Sequence, residues 1–220
     1  MEKIEKSELR REKLVLAALI LLTFLVRVLF LSAWADTALF YVPVGDSKNF
    51  HDTALALLGK GPPAGAFVFQ PLYTFYLVAV YSIFGVSVVA ARTVQLFFVV
   101  AGCVPIFLLG RRLAGTWAGY LSVLWYAFYG PMVFLGSMML APALVVPLFA
   151  LALWALVEGL ERRSPRFLLL AGVSFGLACM GRPNLAILLP VAGIWMLVEL
   201  RPAARLLPAI GCAAVGLVVG

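Results

Sequence analysis

Charged residues are scarce in this sequence, and their scarcity excludes most kinds of soluble protein. They make up 12% of the 220 residues, whereas 64% are hydrophobic and the mean hydropathy is +1.07. A soluble domain is nearer one quarter charged and one half apolar. Because a soluble protein of this composition has too little polar surface to cover itself, the chain is predicted to be an integral membrane protein.

Residues that commonly carry metal or nucleotide chemistry are scarce as well. His51 is the single histidine, and the three cysteines, at 103, 179 and 212, lie within apolar runs without the spacing of a metal pair or a disulfide framework. The sequence contains no Walker loop, no zincin motif and no nucleophile elbow. One histidine with one or two aspartates is a poor metal ligand set, so no cofactor is assigned with certainty and a divalent metal has no clear ligands.

Apolar runs recur along the chain, and several approach about 20 residues, the length that crosses roughly 30 Å of hydrocarbon. The first 13 residues predict a cytoplasmic segment, and residues 14–220 predict one transmembrane module. Because no charge or aromatic anchor closes the final run, we expect the chain to continue past its last residue. About seven spans are predicted: Leu14–Trp34, Val88–Leu109, Trp117–Leu135, Pro142–Leu160, Phe167–Met180, Leu185–Val198 and a run from Leu206 onward.

The apolar segment Pro71–Phe84 is predicted not to cross the membrane. Its fourteen residues reach only about 21 Å as a helix. If it lies along the outer interface, every basic cluster falls on the cytoplasmic side, as the positive-inside rule requires. Those clusters are Lys3 to Lys13, Arg111 with Arg112, Arg162 to Arg166, and Arg201 with Arg205.

The predicted fold is therefore an all-α, polytopic transmembrane bundle with a long extracytoplasmic first loop, residues 35–87. Two interfacial helices are expected in this loop. The first runs from Asp46 to about Leu58, where a Gly- and Pro-rich stretch breaks it, and the second begins at Pro71. Tyr73, Tyr76 and Tyr81 would anchor the second helix at the interface.

This topology places three acidic residues on the extracytoplasmic side: Asp36, Asp46 and Asp52. Asp46 stands where the loop turns into a helix, so it is either an N-cap or a functional carboxylate. Asn49 would share its helix face. His51 is either a hydrogen-bonding loop residue or a weak metal-ligand candidate.

Three arginines lie where a cation is unexpected in an apolar chain. Arg182 stands between two spans on the predicted outer side, where it either binds a phosphate or anchors the interface. Arg27 lies about 10 Å below Trp34 along its helix, and we expect it to snorkel outward or to pair with a loop carboxylate. Arg92 begins the second span and is a similar candidate.

The order of several short motifs resembles the N-terminal module of the GT-C membrane glycosyltransferases. The nearest branch is similar to bacterial relatives of the dolichyl-phosphate-mannose protein mannosyltransferases and the lipid A aminoarabinose transferases. The resemblance covers about Leu14 to Glu199. The motifs are Gly45-Asp46-Ser47-Lys48-Asn49-Phe50-His51-Asp52, Phe69-Gln70-Pro71-Leu72-Tyr73, Phe84-Gly85, Ala91-Arg92-Thr93-Val94-Gln95-Leu96, Gly110-Arg111-Arg112, Tyr129-Gly130-Pro131, Gly172-Val173-Ser174-Phe175-Gly176 and Arg182-Pro183-Asn184.

This resemblance implies an enzyme of the bacterial plasma membrane that takes a sugar from a polyprenyl-phosphate carrier. It would pass the sugar, usually with inversion, to a protein, lipid or glycan acceptor on the extracytoplasmic side. Asp46 matches the first-loop carboxylate that acts on the acceptor. The substrate-binding candidates are Arg182, Lys48, Asn49, His51, Asp52, Gln70, Tyr73 and Arg92.

Three positions depart from the family pattern. Ser47 replaces a second acid, Gln70 replaces a Lys or His, and the turn before Pro142 has no acid. Two alternatives therefore stay open, a non-catalytic membrane subunit and a carrier or flippase for a lipid-linked substrate. A carrier would favour inverted repeats and broken helices with polar residues near the middle of the membrane.

Overall fold

The structure, a computed structural model, describes residues 2–62 and 69–199. The predicted last span and Cys212 lie outside these residues. No strand occurs in the described part, which confirms the all-α prediction. The helices are α1 (Glu2–Ala35), α2 (Ala38–Tyr41), α3 (Asp46–Leu57), α4 (Pro71–Phe84), α5 (Val88–Ala101), α6 (Cys103–Ala114), α7 (Thr116–Phe128), α8 (Gly130–Leu135), α9 (Pro142–Arg162), α10 (Pro165–Gly181) and α11 (Leu189–Glu199).

Three helical segments are long and apolar enough to cross a membrane: Ser7–Ala35, Val88–Ala114 and Pro142–Arg162. Pro71–Phe84, Pro165–Gly181 and Pro183–Met196 are apolar but shorter. Together they form the predicted bundle of membrane helices. The two helices expected in the first loop are present, because α3 begins at Asp46 and α4 occupies Pro71–Phe84.

The predicted continuous span Trp117–Leu135 is wrong, because the chain breaks after α7 and restarts as α8. Tyr129 has an extended conformation, with φ −64° and ψ 101°. Pro131 follows two residues later, and proline removes a backbone donor and clashes with the preceding helical turn. The break leaves the carbonyl groups at the end of α7 without helical partners.

Other predicted spans also differ from the observed helices. The second one extends past Leu109 to Ala114 and is interrupted at Gly102, since Pro105 has no N–H to bond the carbonyl four residues earlier. The expected span Leu185–Val198 begins instead as a 3₁₀ helix, Pro183–Leu188, that continues into α11. Helix α10 extends the predicted Phe167–Met180 slightly at both ends.

Arg27 lies at the broken end of α7. Its side chain is 1% exposed, and its Nη2 donates to the Tyr126 carbonyl at 3.1 Å. Tyr126 is in the last turn of α7, where the helix dipole favours a cation. The expectation that Arg27 snorkels outward or pairs with a loop carboxylate is therefore wrong. Its Nε and Nη1 have no hydrogen-bond partner among the described residues.

A second set of carbonyl groups, in the turn after α8, is bound by polar side chains of α5. Gln95 Nε2 donates to the carbonyl groups of Gly136 and Met138 at 2.7 and 2.6 Å. Arg92 Nη1 donates to the carbonyl of Ser137 at 2.8 Å. Three consecutive carbonyl groups are thus satisfied within the bundle, as an environment without water requires.

The same network extends to α4. The Tyr73 hydroxyl donates to Gln95 Oε1, and the Tyr76 hydroxyl donates to the carbonyl of Ala91 at 2.5 Å. Tyr73 is 0% exposed and Tyr81 1% exposed. The prediction that these tyrosines are interface anchors is wrong for both, because their rings face the core of the bundle.

Ion pairs gather at the opposite end of the bundle. Arg111 pairs with Glu12, Arg112 with Glu161, and Arg162 with Glu158. We call this the ion-pair end, and we call the end that carries α3 and residues 136–141 and 181–184 the loop end. The pair between Arg111 and Glu12 requires an even number of crossings between these residues. Crossings by α1 and by the α5–α6 segment meet that requirement, and a further crossing by α4 would violate it.

We expect α4 to leave both of its ends on one side of the membrane. In a background without native cysteines, Lys60→Cys and Val86→Cys should both react with an impermeant thiol reagent added to intact cells. Leu113→Cys, at the ion-pair end, should react only after permeabilisation. Reaction of Lys60→Cys and Val86→Cys from opposite sides would show that α4 crosses.

We expect Gln95→Leu to destabilise the bundle, because the buried carbonyl of Gly136 loses its donor and the buried hydroxyl of Tyr73 loses its acceptor. Leaving a buried polar group unsatisfied costs about 1–3 kcal/mol. The measurement is the thermal stability of the purified protein in detergent. Thr93→Val is the matched control, since the Thr93 hydroxyl bonds only within its own exposed helical turn. Equal stability of the two variants would contradict a structural role for Gln95.

Candidate functional site

Helices α3, α4 and α10 meet at the loop end. Phe50 of α3, Tyr73 and Leu77 of α4, and Ala178 of α10 are buried in one apolar cluster. The rings of Phe50 and Tyr73 lie 5.2 Å apart. This buried cluster holds α3, α4 and α10 against one another, although they are far apart in sequence.

Gly181, the last residue of α10, allows a close approach between α10, α9 and α4. A Cβ atom at this position would lie 2.4 Å from Val145 Cγ2 and 2.9 Å from Leu72 Cδ2. The next residue, Arg182, therefore leaves the helix beside the first turn of α4. Its side chain is exposed and has no hydrogen bond or ion pair among the described residues.

Asp46 is the first helical residue of α3 and is not its N-cap. Gly45 holds the cap position with φ 56° and ψ −131°, a conformation that a residue with a side chain rarely adopts. The N-cap interpretation of Asp46 is therefore wrong. Its exposed carboxylate has no hydrogen bond or ion pair within the described part of the chain, although its place in the first turn suits a negative charge.

The second carboxylate of α3, at Asp52, is already engaged in an ion pair. Asp52 pairs with Lys48 one turn away, and both side chains are exposed. Asn49, which shares the face of Asp46, is exposed as well, and its backbone carbonyl accepts from Thr53. Of the two carboxylates on α3, only the one at Asp46 is left free for another molecule.

His51 links α3 to α4. Its Nδ1 lies 2.8 Å from the Tyr81 hydroxyl, and the two rings meet edge to face at 5.6 Å. Partial burial lowers the pKa of His51, the charge of Asp52 opposes this shift, and the charge of Lys48 adds to it. Because a neutral imidazole carries one donor and one acceptor, this hydrogen bond commits one of them to positioning α3.

The remaining predicted binding residues are more enclosed. Gln70 precedes α4, is half-buried and makes no capping bond. Tyr73 is committed to Gln95. The Arg92 guanidinium lies 4.2 Å from the centre of the Trp34 ring and 4.8 Å from that of Phe40, it is 3% exposed, and its Nε has no partner in the described residues.

Sequence reasoning missed Tyr81 as the partner of His51 and Gln95 as the centre of the buried network. A signal for Gln95 was available, because Arg92 and Gln95 lie three residues apart and share a face of an otherwise apolar helix. No signal linked Tyr81 to His51, since the contact joins two separate helices.

The described residues hold no group of three or more His, Cys, Asp or Glu side chains that could bind a metal ion. Cys103 and Cys179 are both buried and unpaired in disulfides. Of the charged site residues predicted from the sequence, Asp46 and Arg182 are exposed and have no hydrogen bond or ion pair among the described residues, and the turn that carries Arg182 lies beside α4.

Comparison with known proteins identifies the family of the chain. The family model described as dolichyl-phosphate-mannose-protein mannosyltransferase matches residues 65–220, more than two thirds of the sequence. No curated protein and no solved structure matched. The match includes Gln70, Tyr73, Arg92 and Arg182, and it begins after α3, which carries Asp46. The resemblance seen in the ordered motifs is confirmed: the chain belongs to the dolichyl-phosphate-mannose-protein mannosyltransferase family, and it is a membrane glycosyltransferase of the mannosyltransferase type.

Proposed function

We propose that this protein transfers a sugar from a polyprenyl-phosphate carrier to an acceptor hydroxyl at the extracytoplasmic face, with Asp46 as the general base. The observation that carries this proposal is the free carboxylate of Asp46 at the start of α3, beside a helix that also contacts the turn carrying Arg182. Asp52 is less suited to the role, because Lys48 already pairs with it.

The reaction needs one proton acceptor and one stabilised leaving group. The acceptor oxygen would attack the anomeric carbon and form the new glycosidic bond, while the bond from that carbon to the carrier phosphate breaks. The proton of the acceptor hydroxyl would pass to Asp46, and the electron pair of the broken bond would stay on the phosphate. A base in this role must reach the hydroxyl at hydrogen-bond distance, which an exposed side chain on a fixed helix allows.

Asp36 is the other exposed acid of the first loop without a side-chain hydrogen bond or ion pair among the described residues. It follows α1 directly and lies ahead of the short helix α2. Asp46 belongs instead to the helix whose buried residues Ser47, Phe50 and Ala54 fix it against the bundle. A rigid element positions a catalytic group more accurately than a loop does, so Asp46 is the better base.

Among the cations that the sequence offered for the carrier phosphate, Arg182 suits the task best. Lys48 is engaged by Asp52, and Arg92 is buried beneath Trp34 and Phe40. The guanidinium of Arg182 is exposed and unpaired in the described structure, and it can form two parallel hydrogen bonds with a phosphate. A cation in this position would stabilise the charge that develops on the leaving group.

A carrier or flippase for the lipid-linked sugar is a second candidate, because the break between α7 and α8 places a buried arginine within the bundle. Arg27 is, however, 1% exposed and bonded to a backbone carbonyl. In this position it stabilises the broken helix and presents no surface to a substrate. The two functions differ in one measurable respect, since a carrier moves the lipid-linked sugar without breaking its bond to phosphate.

We expect Asp46→Asn to abolish most transfer activity. Asparagine has nearly the same shape, yet its amide cannot take the acceptor proton, and general-base catalysis contributes about 10²- to 10⁴-fold. The measurement is transfer of radiolabelled sugar from a polyprenyl-phosphate donor by the purified full-length protein. Asp52→Asn is the matched control and should lose much less. Turnover near the wild-type rate in Asp46→Asn would refute the base, and the reverse order of the two variants would assign the role to Asp52.

We expect Arg182→Ala to weaken donor binding. Hydrogen bonds to charged groups contribute about 1.5–3 kcal/mol, equivalent to roughly 10- to 150-fold in affinity. Arg182→Lys should restore only part of the loss, because lysine lacks the planar fork. Arg166→Ala, an exposed arginine at the opposite end of α10, is the control and should bind the donor normally. Unchanged donor affinity in Arg182→Ala would leave Arg182 as an interface anchor only.

A further inference from the structure

A cavity of about 480 Å³ lies between α6 and α9 at the ion-pair end of the bundle. Five charged side chains line it: Arg111, Arg112, Glu158, Glu161 and Arg162. Its volume falls within the range of about 300–1,000 Å³ that is typical of small-molecule sites. Because it lies at the opposite end from the candidate functional site, the proposed transfer reaction makes no use of it.

The three arginines of this cavity are only partly engaged. Each of them pairs with one glutamate. A guanidinium has five N–H donors, and a carboxylate in the bidentate arrangement takes two of them, so each arginine keeps donors for a further acceptor. The side chains of Arg111, Arg112 and Arg162 are 43%, 49% and 65% exposed. A ligand that approaches from outside the bundle can therefore reach all three.

The charges around the cavity favour an anionic ligand. Both lining carboxylates, at Glu158 and Glu161, are already paired with arginines, so neither is left unpaired for an ammonium group. Arg163 and Arg166, at the turn from α9 to α10, are exposed and have no ion pair among the described residues. They add positive charge to this end of the bundle. A phosphate suits the site, since guanidinium groups bind its oxygens through two parallel hydrogen bonds.

The inner part of the cavity is apolar. Leu108 and Trp154 also line it, and each precedes a charged lining residue, Arg112 or Glu158, by four positions. Since α6 and α9 both end at the ion-pair end, these two apolar side chains lie about 6 Å deeper along their helices. Tryptophan is favoured at the level of lipid headgroups. The cavity thus has charge at its rim and apolar surface below, which is the order of groups in a phospholipid.

We propose that this cavity binds the phosphodiester headgroup of an anionic glycerophospholipid from the leaflet that surrounds the ion-pair end. The arginines bind the phosphate oxygens, and Leu108 and Trp154 contact the beginning of the acyl chains. The bound lipid would bridge α6 and α9, in addition to the ion pair between Arg112 and Glu161 that already links them. This inference does not depend on the proposed function, because the two sites share no residue.

The test is native mass spectrometry of the full-length protein with phosphatidylglycerol, which is anionic, and phosphatidylethanolamine, which is zwitterionic, with identical acyl chains. We expect phosphatidylglycerol to bind more tightly by roughly fivefold, since the two headgroups differ by one net charge. Arg112→Gln should weaken phosphatidylglycerol binding by about tenfold, because the phosphate loses charge-assisted hydrogen bonds.

Arg166→Gln is the matched control, since it removes the same charge at an exposed position that does not line the cavity. It should weaken phosphatidylglycerol binding much less than Arg112→Gln does. Equal weakening by the two variants would show a diffuse attraction and overturn the site. Should Arg112→Gln fail to fold, Arg112→Lys keeps the positive charge opposite Glu161 but lacks the planar fork. It should still bind phosphatidylglycerol more weakly than the wild type does.

Photo-crosslinking in detergent, with equimolar lipid, locates the headgroup. Phosphatidylglycerol with a diazirine at the start of an acyl chain should label peptides that contain Leu108 or Trp154, and labelling only elsewhere would overturn the site. sn-Glycerol 3-phosphate, which has no acyl chain, should not displace the lipid at equal concentration. Displacement would assign the cavity to a soluble phosphate instead.

Two further outcomes would contradict the proposal. They are equal affinity for the two phospholipids and unchanged phosphatidylglycerol affinity in both Arg112 variants. Either would leave the arginines as ion-pair partners and as cations at helix C-termini. Sugar transfer from the polyprenyl-phosphate donor is measured separately, so failure of this site and failure of the proposed function are distinguishable.

Discussion

Inside a bilayer, every backbone carbonyl must find a donor within the protein, and this requirement governs the arrangement of the bundle. The break between α7 and α8 frees carbonyl groups at the end of α7, and the turn after α8 exposes three more. Arg27 bonds one of them, and Arg92 with Gln95 bonds three more. These donors lie on α1 and α5, so the irregular segments are fastened to the helices around them.

The position of the candidate site follows from this network. Gln95 also accepts the hydroxyl of Tyr73, which fixes α4 against α5, and α4 in turn supports α3 through Phe50 and through the bond between His51 and Tyr81. The position of Asp46 on α3 therefore depends on the packing of α3 against α4 and of α4 against α5. Arg182 reaches the same region by a separate route, because the close contact at Gly181 presses the end of α10 onto α4.

Buried arginines in this protein have a structural explanation that composition alone did not suggest. An intramembrane cation is a functional candidate by default. On that ground, Arg27 and Arg92 were both functional candidates from the sequence. Both bond backbone carbonyl groups near helix ends, where the dipole is negative, and Arg92 also stacks on two aromatic rings. Among the three arginines that the sequence analysis singled out, Arg182 is exposed and unpaired in the described structure.

The sequence by itself determined the class of protein, the helical content, the two helices of the first loop and the family, because hydrophobic run length and ordered local motifs carry that information. It predicted α4 at its observed bounds, since a proline start and a glycine end are local signals. Only the tertiary structure decided that Asp46 is free while Asp52 is paired, that Tyr73 and Tyr81 face inward, and that Arg92 is enclosed. The direction of a side chain and its partner depend on which helices pack together, and no local pattern along one chain specifies those contacts.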